Sequence, residues 1–320
     1  MKAAILHDYG TVPIVSTVEE PTAGIGEALV QVDYAALNPV DLRIASGKFY
    51  AGAHDLPYVV GSEGVGRVVD SRKWASGTEV YFASGRPGAI CERVAVEDNS
   101  LVPIPSGLDK TTAAGLGVPG IAAYLGLVDK GGMKQGERVV VLGATGAVGW
   151  IGAQLARVLG AGRIVAVGRN RAALERIVGS GNAHAYVVLH GQSVDDLARE
   201  IEDAVEGKTD LIIDPLWGEP ALAAMKTLAT GGRLINIGES AGAALEIPSA
   251  LVRSKNMQII GHTNFAISWT RQQEVLRTLF DYAVAGELSI EHRVFSMEEI
   301  ADAWHLQADS PGSKLLLACS

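Results

Sequence analysis

Along the first third of the chain, apolar residues come in short runs rich in Val, Ile and Ala. They lie at Lys2–Leu6, Ala28–Ala36, Gly66–Asp70, Glu79–Phe82, Ile90–Val96 and Leu101–Ile104. Gly, Pro, Asp and Ser separate them, as in Gly24-Ile25-Gly26, Ser76-Gly77 and Pro103-Ile104-Pro105. Short runs with no helical period between them predict a twisted, barrel-like β domain. The rhythm changes near Leu108. Asp109–Leu116 and Ile121–Val128 predict two helices, ended by Gly131-Gly132. From Arg138 onwards, strand-like runs at 139–142, 163–167, 186–189, 210–214, 232–237 and 257–261 alternate with helical periods at about 150–159, 171–178, 194–205 and 219–229. Such alternation predicts right-handed βαβ units and a doubly wound parallel sheet, so the fold class is α/β. After Gly261, Trp269–Ala285 reads as a long amphipathic helix. Ser296 caps Met297–Leu306, with Glu299 completing a capping box, and Lys314–Ala318 is a closing strand. This tail is too short to stand alone and is expected to pack on the N-terminal module.

One stretch carries more than fold. Val139 to Leu142 form an apolar run suited to a strand buried on both faces, followed by Gly143-Ala-Thr-Gly-Ala-Val-Gly149 and a helical period from Trp150. Strand, glycine turn and helix in that order build an anion cradle, with helix-start N–H groups facing a pyrophosphate. Against the pattern G-x-G-x-x-G, Ala144 replaces the first glycine while Gly146 and Gly149 keep the second and third. Glycine turns also close ordinary strand–helix joints. It is the order of elements that favours a dinucleotide here.

Composition narrows the partners. The chain has 27 Lys and Arg against 36 Asp and Glu, a net charge of −9. That balance argues against nucleic acid or an anionic membrane as the main partner. No run of about eighteen apolar residues stands out, so no membrane span is expected. Charge appears too early in the first eight residues for a signal peptide. Only Cys91 and Cys319 are present, which fits a reducing, cytoplasmic setting and excludes a Cys-rich zinc module.

The second strand of the alternating region speaks to cofactor choice. In NAD sites a carboxylate roughly twenty residues after the glycines binds the adenine ribose. Here the strand ends in Gly168-Arg169-Asn170-Arg171, with two guanidiniums where an acid would sit. Paired donors with positive charge suit a 2′-phosphate, which favours NADPH over NADH. The plainer alternative is that both arginines are solvated residues at a helix start.

At this point the residues reach a family. The chain resembles the medium-chain dehydrogenase/reductase superfamily, and within it the zinc-free quinone oxidoreductases related to zeta-crystallin. The resemblance runs from Met1 to the end. It is carried by Ala35-Ala-Leu-Asn-Pro-Val-Asp41 with Ser46-Gly47, Gly61-Ser-Glu-Gly-Val-Gly-Arg-Val68, the turn at 143–149, Gly231-Gly-Arg-Leu-Ile-Asn-Ile-Gly238, Phe295-Ser-Met-Glu-Glu299 and Gly312-Ser-Lys-Leu315. It implies a GroES-like β-barrel catalytic domain over 1–122, completed by 264–320, and a Rossmann NADPH-binding domain over 123–263. By the resemblance, Gly143, Ala144, Thr145, Gly146, Ala147, Val148 and Gly149 hold the pyrophosphate. Gly168, Arg169, Asn170 and Arg171 take the adenine ribose and its phosphate, and Lys314 reaches the phosphates. Gly238 is a further cofactor-binding residue, and Asn264, Phe265 and Asn38 lie toward the nicotinamide.

The departures from the zinc enzymes of this superfamily are informative. Those enzymes place a cysteine where Asn38 stands and a histidine where Ser62 stands, and their structural-zinc loop has no counterpart here. No metal site is therefore expected, and Glu63 is expected to tie down backbone at the strand turn. Without a Lewis acid, an activated acceptor is favoured: a quinone, or an enone taking hydride at its β-carbon. Asn38 is the candidate beside the substrate oxygen, though asparagine before proline also serves turns. Tyr50 is the candidate proton donor, against the reading that a loop tyrosine merely packs. Ala122 stands where the family often carries a threonine, and the loops at 71–77 and 85–88 are short. The expected substrate is a small apolar quinone or enone, and the expected assembly a homodimer. Two rivals remain. One is an enoyl-thioester reductase, with Arg43, Lys48 and Arg86 at its rim; the other is a non-catalytic NADPH-binding protein.

Overall fold

The run Val139–Leu142 is the middle of the second half of the fold, and every one of its side chains is fully buried. In the computed structural model, which describes residues 1–84 and 88–320, it belongs to the strand Arg138–Leu142. That strand sits inside a parallel sheet in the order Ala185–Val188, Arg163–Gly168, Arg138–Leu142, Thr209–Asp214, Leu228–Asn236, Gln258–Gly261. Helices Ala147–Val158, Arg171–Gly179, Val194–Val205 and Gly218–Thr227 fill the crossovers. Strand order reverses between Arg138–Leu142 and Thr209–Asp214. In a doubly wound sheet, the crevice outside the carboxyl ends at such a switch is where ligands bind. Leu142 and Asp214 therefore open the loops that matter.

This sheet belongs to one of two units, Pro119–Val275; the other is Met1–Val118 with Leu276–Ser320. In the unit that holds both termini, Ile14–Thr17, Lys2–Leu6 and Tyr58–Val59 form an antiparallel sheet. A larger sheet runs His292–Ser296, Lys314–Ala318, Glu27–Leu37, Glu63–Ser71, Glu79–Ala83, Leu101–Pro103, with Arg93–Glu97 also on Glu27–Leu37. The tail closes this unit as its pattern predicts: Lys314–Ala318 pairs with Glu27–Leu37, and Met297, Ile300 and Trp304 enter its core. Ser296 and Glu299 form the capping box.

Three readings change. The expected strand at 90–96 begins only at Arg93, because Ile90 and Cys91 bond instead to Val60 and the Lys2–Leu6 strand. The two expected helices over 109–128 are both present, meeting within Lys110–Leu125 at a break at Gly117 (φ −51°, ψ −108°). A wider turn, Gly126–Lys130, extends it. Together Lys110–Lys130 are long and apolar enough to cross a membrane, contrary to the expectation of no such run, but 72% of the stretch is buried within the protein. Helices Pro39–Ala45 and Ser249–Lys255 are not foreseen by the pattern. The second is only seven residues long and buries none of them fully, Leu251 and Val252 lying half-buried against the core, so its apolar side is too short to read as a period.

Candidate active site

The glycine turn has the shape a pyrophosphate needs. Gly143 adopts φ +60°, a conformation that side chains disfavour. A Cβ on Gly149 would lie 2.3 Å from the Gly143 carbonyl oxygen and 2.6 Å from Ala144 Cα, so only glycine lets this helix start pack so close to the turn. A Cβ on Gly146 would meet only the Gly143 oxygen, at 3.4 Å, and otherwise open space. No side chain caps the helix at Gly146, which leaves its first-turn N–H groups to a ligand. Ala144, the substituted first glycine, is fully buried and donates its N–H to the Val167 oxygen. Gly168 adjoins Thr145, whose Cγ2 would stand 3.1 Å from a Cβ there.

Asn170 caps the following helix by accepting from the Ala173 N–H at 3.1 Å. Arg169 and Arg171 flank it, both exposed. The guanidinium of Arg171 stacks 5.9 Å above the ring of Tyr186 and donates to its hydroxyl at 3.2 Å.

The neighbouring carboxyl-end loops are tied together by Asp214, which is fully buried. Its carboxylate accepts from the N–H groups of Leu216 and Trp217 at 2.9 and 2.8 Å and from Asn236 Nδ2 at 3.2 Å. Burial nevertheless raises its pKa against those bonds. Asn236 also donates to the Gly238 oxygen. The loop lays Pro215 and Leu216 within 3.1 Å of where a Gly143 Cβ would be. Trp217 is held at φ +57°, ψ −163°, a region costly for any side chain. Beyond the last parallel strand, His262 pairs with Asn264 at 3.0 Å, and burial lowers its pKa. Phe265 is exposed.

A second constellation lies in the unit that holds the termini. Asn38 starts the helix Pro39–Ala45, and its backbone N–H donates to Asp41 at 2.7 Å. Its side-chain amide faces inward, where Nδ2 donates to Glu63 Oε1 at 2.8 Å and to the Ala36 oxygen at 3.3 Å. Lys314, only 3% exposed, donates its ammonium to Asn38 Oδ1 and, at 3.2 Å, to Glu63 Oε1. A lysine can only donate and a carboxylate only accept, so this arrangement fixes which way the Asn38 amide points. The other oxygen of Glu63 accepts from Tyr81 at 2.8 Å and from the Val118 N–H at 2.7 Å. Burial first, and the Glu63 charge second, push the Tyr81 phenol well above its usual range, so it stays a donor. The Val118 N–H reaches Glu63 because the helix breaks at Gly117, where a Cβ would collide with Glu63 Oε2 at 1.8 Å. Ser62 donates to Asp41. Burial drives the Asp41 carboxyl up to about 6, against the Ser62 and Asn38 bonds and the Lys314 charge.

These placements divide the expected residues. Residues 143–149 and 168–171 fall together in the unit built on the parallel sheet. Lys314, expected at the phosphates, has its ammonium buried between Asn38 and Glu63. Asn38, expected beside the substrate oxygen, has both amide hydrogens committed, so it presents no free donor. Tyr50 is 73% exposed, its ring 4.4 Å from that of Phe49. Glu63 does tie down backbone, but at the helix break rather than at the strand turn. Arg86 and the loop from Gly85 to Pro87 lie outside the described residues.

Comparison with known proteins agrees with both halves. Residues 24–135 match the alcohol dehydrogenase GroES-like domain family, and residues 147–281 the family described as zinc-binding dehydrogenase. A zinc-type alcohol dehydrogenase-like protein of Schizosaccharomyces pombe is 30% identical over 298 residues, 90% of this chain and 85% of that one. The human quinone oxidoreductase is 26% identical over 311 residues, 95% of this chain and 92% of its own. The quinone oxidoreductase from Thermus thermophilus, solved alone and with NADPH, superposes with a TM-score of 0.85 at 26% identity, covering 99% of this chain and 100% of that one. The chain belongs to the medium-chain dehydrogenase/reductase superfamily, in its quinone oxidoreductase branch.

As a medium-chain dehydrogenase/reductase, it is a nicotinamide-dependent oxidoreductase, and its glycine turn fits that cofactor. A catalytic zinc does not fit the residues where the zinc enzymes keep theirs. Asn38 Oδ1 is taken by an ammonium, Ser62 donates its proton to Asp41, and Glu63 is saturated by four donors. Among the described residues, no cluster of three His, Cys, Asp or Glu could hold a metal. Tyr81, Gly117 and Asp214 escape a reading of the sequence. Tyr81 sits in an ordinary strand run, and Gly117 reads as a helix gap. The one available signal is Asp214 ending a buried strand at the switch point.

Proposed function

We propose that this protein is a zinc-independent, NADPH-dependent reductase of quinones or α,β-unsaturated carbonyls. The observation that carries the reading is the Lys314 ammonium seated between Asn38 and Glu63. A fixed cation there balances Glu63 and would repel a metal ion. When bound, the nicotinamide cofactor supplies a hydride. Residues 143–149 bind its pyrophosphate through glycine-exposed backbone and the helix start, and Arg169 and Arg171 favour the 2′-phosphate form by charge. Acceptors that spread negative charge onto an oxygen suit a site lacking a Lewis acid. Asn38 serves this chemistry as a positioning residue, holding Lys314 and Glu63 in one orientation. Tyr50 is our candidate for delivering a proton to the enone α-carbon; a quinone needs no such carbon acid.

The test is NADPH oxidation followed at the reduced-nicotinamide band with a simple quinone, an enone and crotonyl-CoA. Turnover of the first two above crotonyl-CoA supports the proposal. Preference for crotonyl-CoA replaces it with an enoyl-thioester reductase. Tight NADPH binding without oxidation by any acceptor replaces it with a non-catalytic binder.

A further inference from the structure

Arg169 and Arg171 are equivalent in the sequence but not in the fold. Arg169 is exposed and, among the described residues, makes no hydrogen bond or ion pair. Arg171 is held at two points by one residue of the edge strand Ala185–Val188: its guanidinium lies over the Tyr186 ring, and Nη1 donates to the Tyr186 hydroxyl. That hydroxyl in turn donates to Glu175 Oε1 at 3.2 Å. The chain of bonds has one polarity. Glu175 can only accept, so the Tyr186 proton points to Glu175 and its lone pair to Arg171.

A free arginine carries rotamer entropy that a phosphate contact must overcome. Stacking and the hydroxyl bond remove part of that cost before any ligand arrives, leaving the other N–H donors of the fork unspent. Beside the guanidinium, the groove along Tyr186 and His190 passes to Glu200 and Asp203 on the next helix. Those carboxylates disfavour an anion beside them, which leaves the guanidinium as the phosphate contact in this groove.

We infer that Tyr186, oriented by Glu175, is a positioning residue that sets the preference for the phosphorylated dinucleotide by holding Arg171 for the 2′-phosphate. This inference rests on the NADPH reading given above. It assigns Arg171 the preorganised contact and leaves Arg169 a mobile charge.

The experiment is a fluorescence titration of the full chain with NADPH and with NADH, giving two dissociation constants for each variant. NADH, which lacks the phosphate, is the internal control, since a general loosening of the fold would weaken both. Wild type is expected to bind NADPH the tighter. Tyr186→Phe keeps the ring and loses the hydroxyl, and Glu175→Gln loses the orienting charge. Each is expected to weaken NADPH by about three- to ten-fold, the worth of one hydrogen bond near 1 kcal/mol, with NADH unchanged. Arg171→Ala should remove most of the preference and Arg169→Ala less. If wild type shows no NADPH preference, the cofactor reading itself falls, and this inference with it. If the preference is present and survives Arg171→Ala, or if Tyr186→Phe and Glu175→Gln leave the NADPH-to-NADH ratio unchanged, the positioning role is wrong while the cofactor reading stands.

Discussion

Replacing Lys314 by methionine separates two roles for this residue. The family resemblance puts its charge at the cofactor phosphates, whereas the fold buries it between Asn38 and Glu63. Methionine keeps most of the apolar stem and deletes the ammonium, leaving Glu63, fully buried, with three donors and no counter-charge. Removing one partner of a buried pair costs about 3–5 kcal/mol. The three remaining donors to Glu63 place this case near the low end, about 3 kcal/mol. At about 2–4 °C per kcal/mol for a unit of this size, Tm should fall by about 6–12 °C. Circular dichroism during heating reads this directly. The double variant Glu63→Gln/Lys314→Met removes the orphaned charge and should recover at least about 1 kcal/mol over the single variant. The reasoning is refuted if Lys314→Met keeps wild-type stability, and more pointedly if it does so while weakening NADPH about tenfold.

Other perturbations test other parts. Gly117→Ala should destabilise by more than about 3 kcal/mol, because its Cβ would overlap the Glu63 carboxylate at 1.8 Å in a packed interior; urea unfolding measures it. Gly149→Ala should abolish measurable dinucleotide binding in a calorimetric titration, since its Cβ would fall 2.3 Å from the Gly143 oxygen. Asp41 has a folded pKa raised from 3.8 to about 6, so the folded state keeps a proton that the unfolded state releases. Its contribution to stability is present below about pH 4 and lost as pH rises through 6, a swing on the order of 3 kcal/mol. Asp41→Asn should flatten the stability profile across that window. Tyr50→Phe should lower enone turnover while leaving quinone turnover within about twofold, if Tyr50 supplies the proton to carbon; equal rates on both acceptors point to solvent as the donor.

The parallel sheet is legible in the sequence because Arg138–Leu142, Arg163–Gly168 and Thr209–Asp214 are almost wholly buried and the crossover helices carry an apolar stripe, so period and length both report on it. The glycine turn is legible because close backbone approach leaves no other residue type, as the clash at Gly149 illustrates. The Asn38–Glu63–Lys314 cluster is not, although each residue stands out singly. Lys314 and Asn38 meet only when the last strand pairs with Glu27–Leu37. No local pattern encodes a contact across 276 positions. Likewise, Arg169 and Arg171 look alike until Tyr186, from a different strand, stacks on one of them. The strained turn at Trp217 is hidden for a different reason: it is local, its Leu216 and Trp217 N–H groups donating to the Asp214 carboxylate, but no residue type there announces a positive φ.

We propose that this oxidoreductase works with NADPH on activated acceptors without zinc. The most direct measurement combines elemental analysis of chelator-treated protein with its rate of NADPH oxidation by a simple quinone. The expected result is far less than one zinc per chain, since an ammonium fills the site, with the rate unchanged by added zinc. Stoichiometric zinc, or activity that vanishes with chelation and returns with the metal, would contradict it.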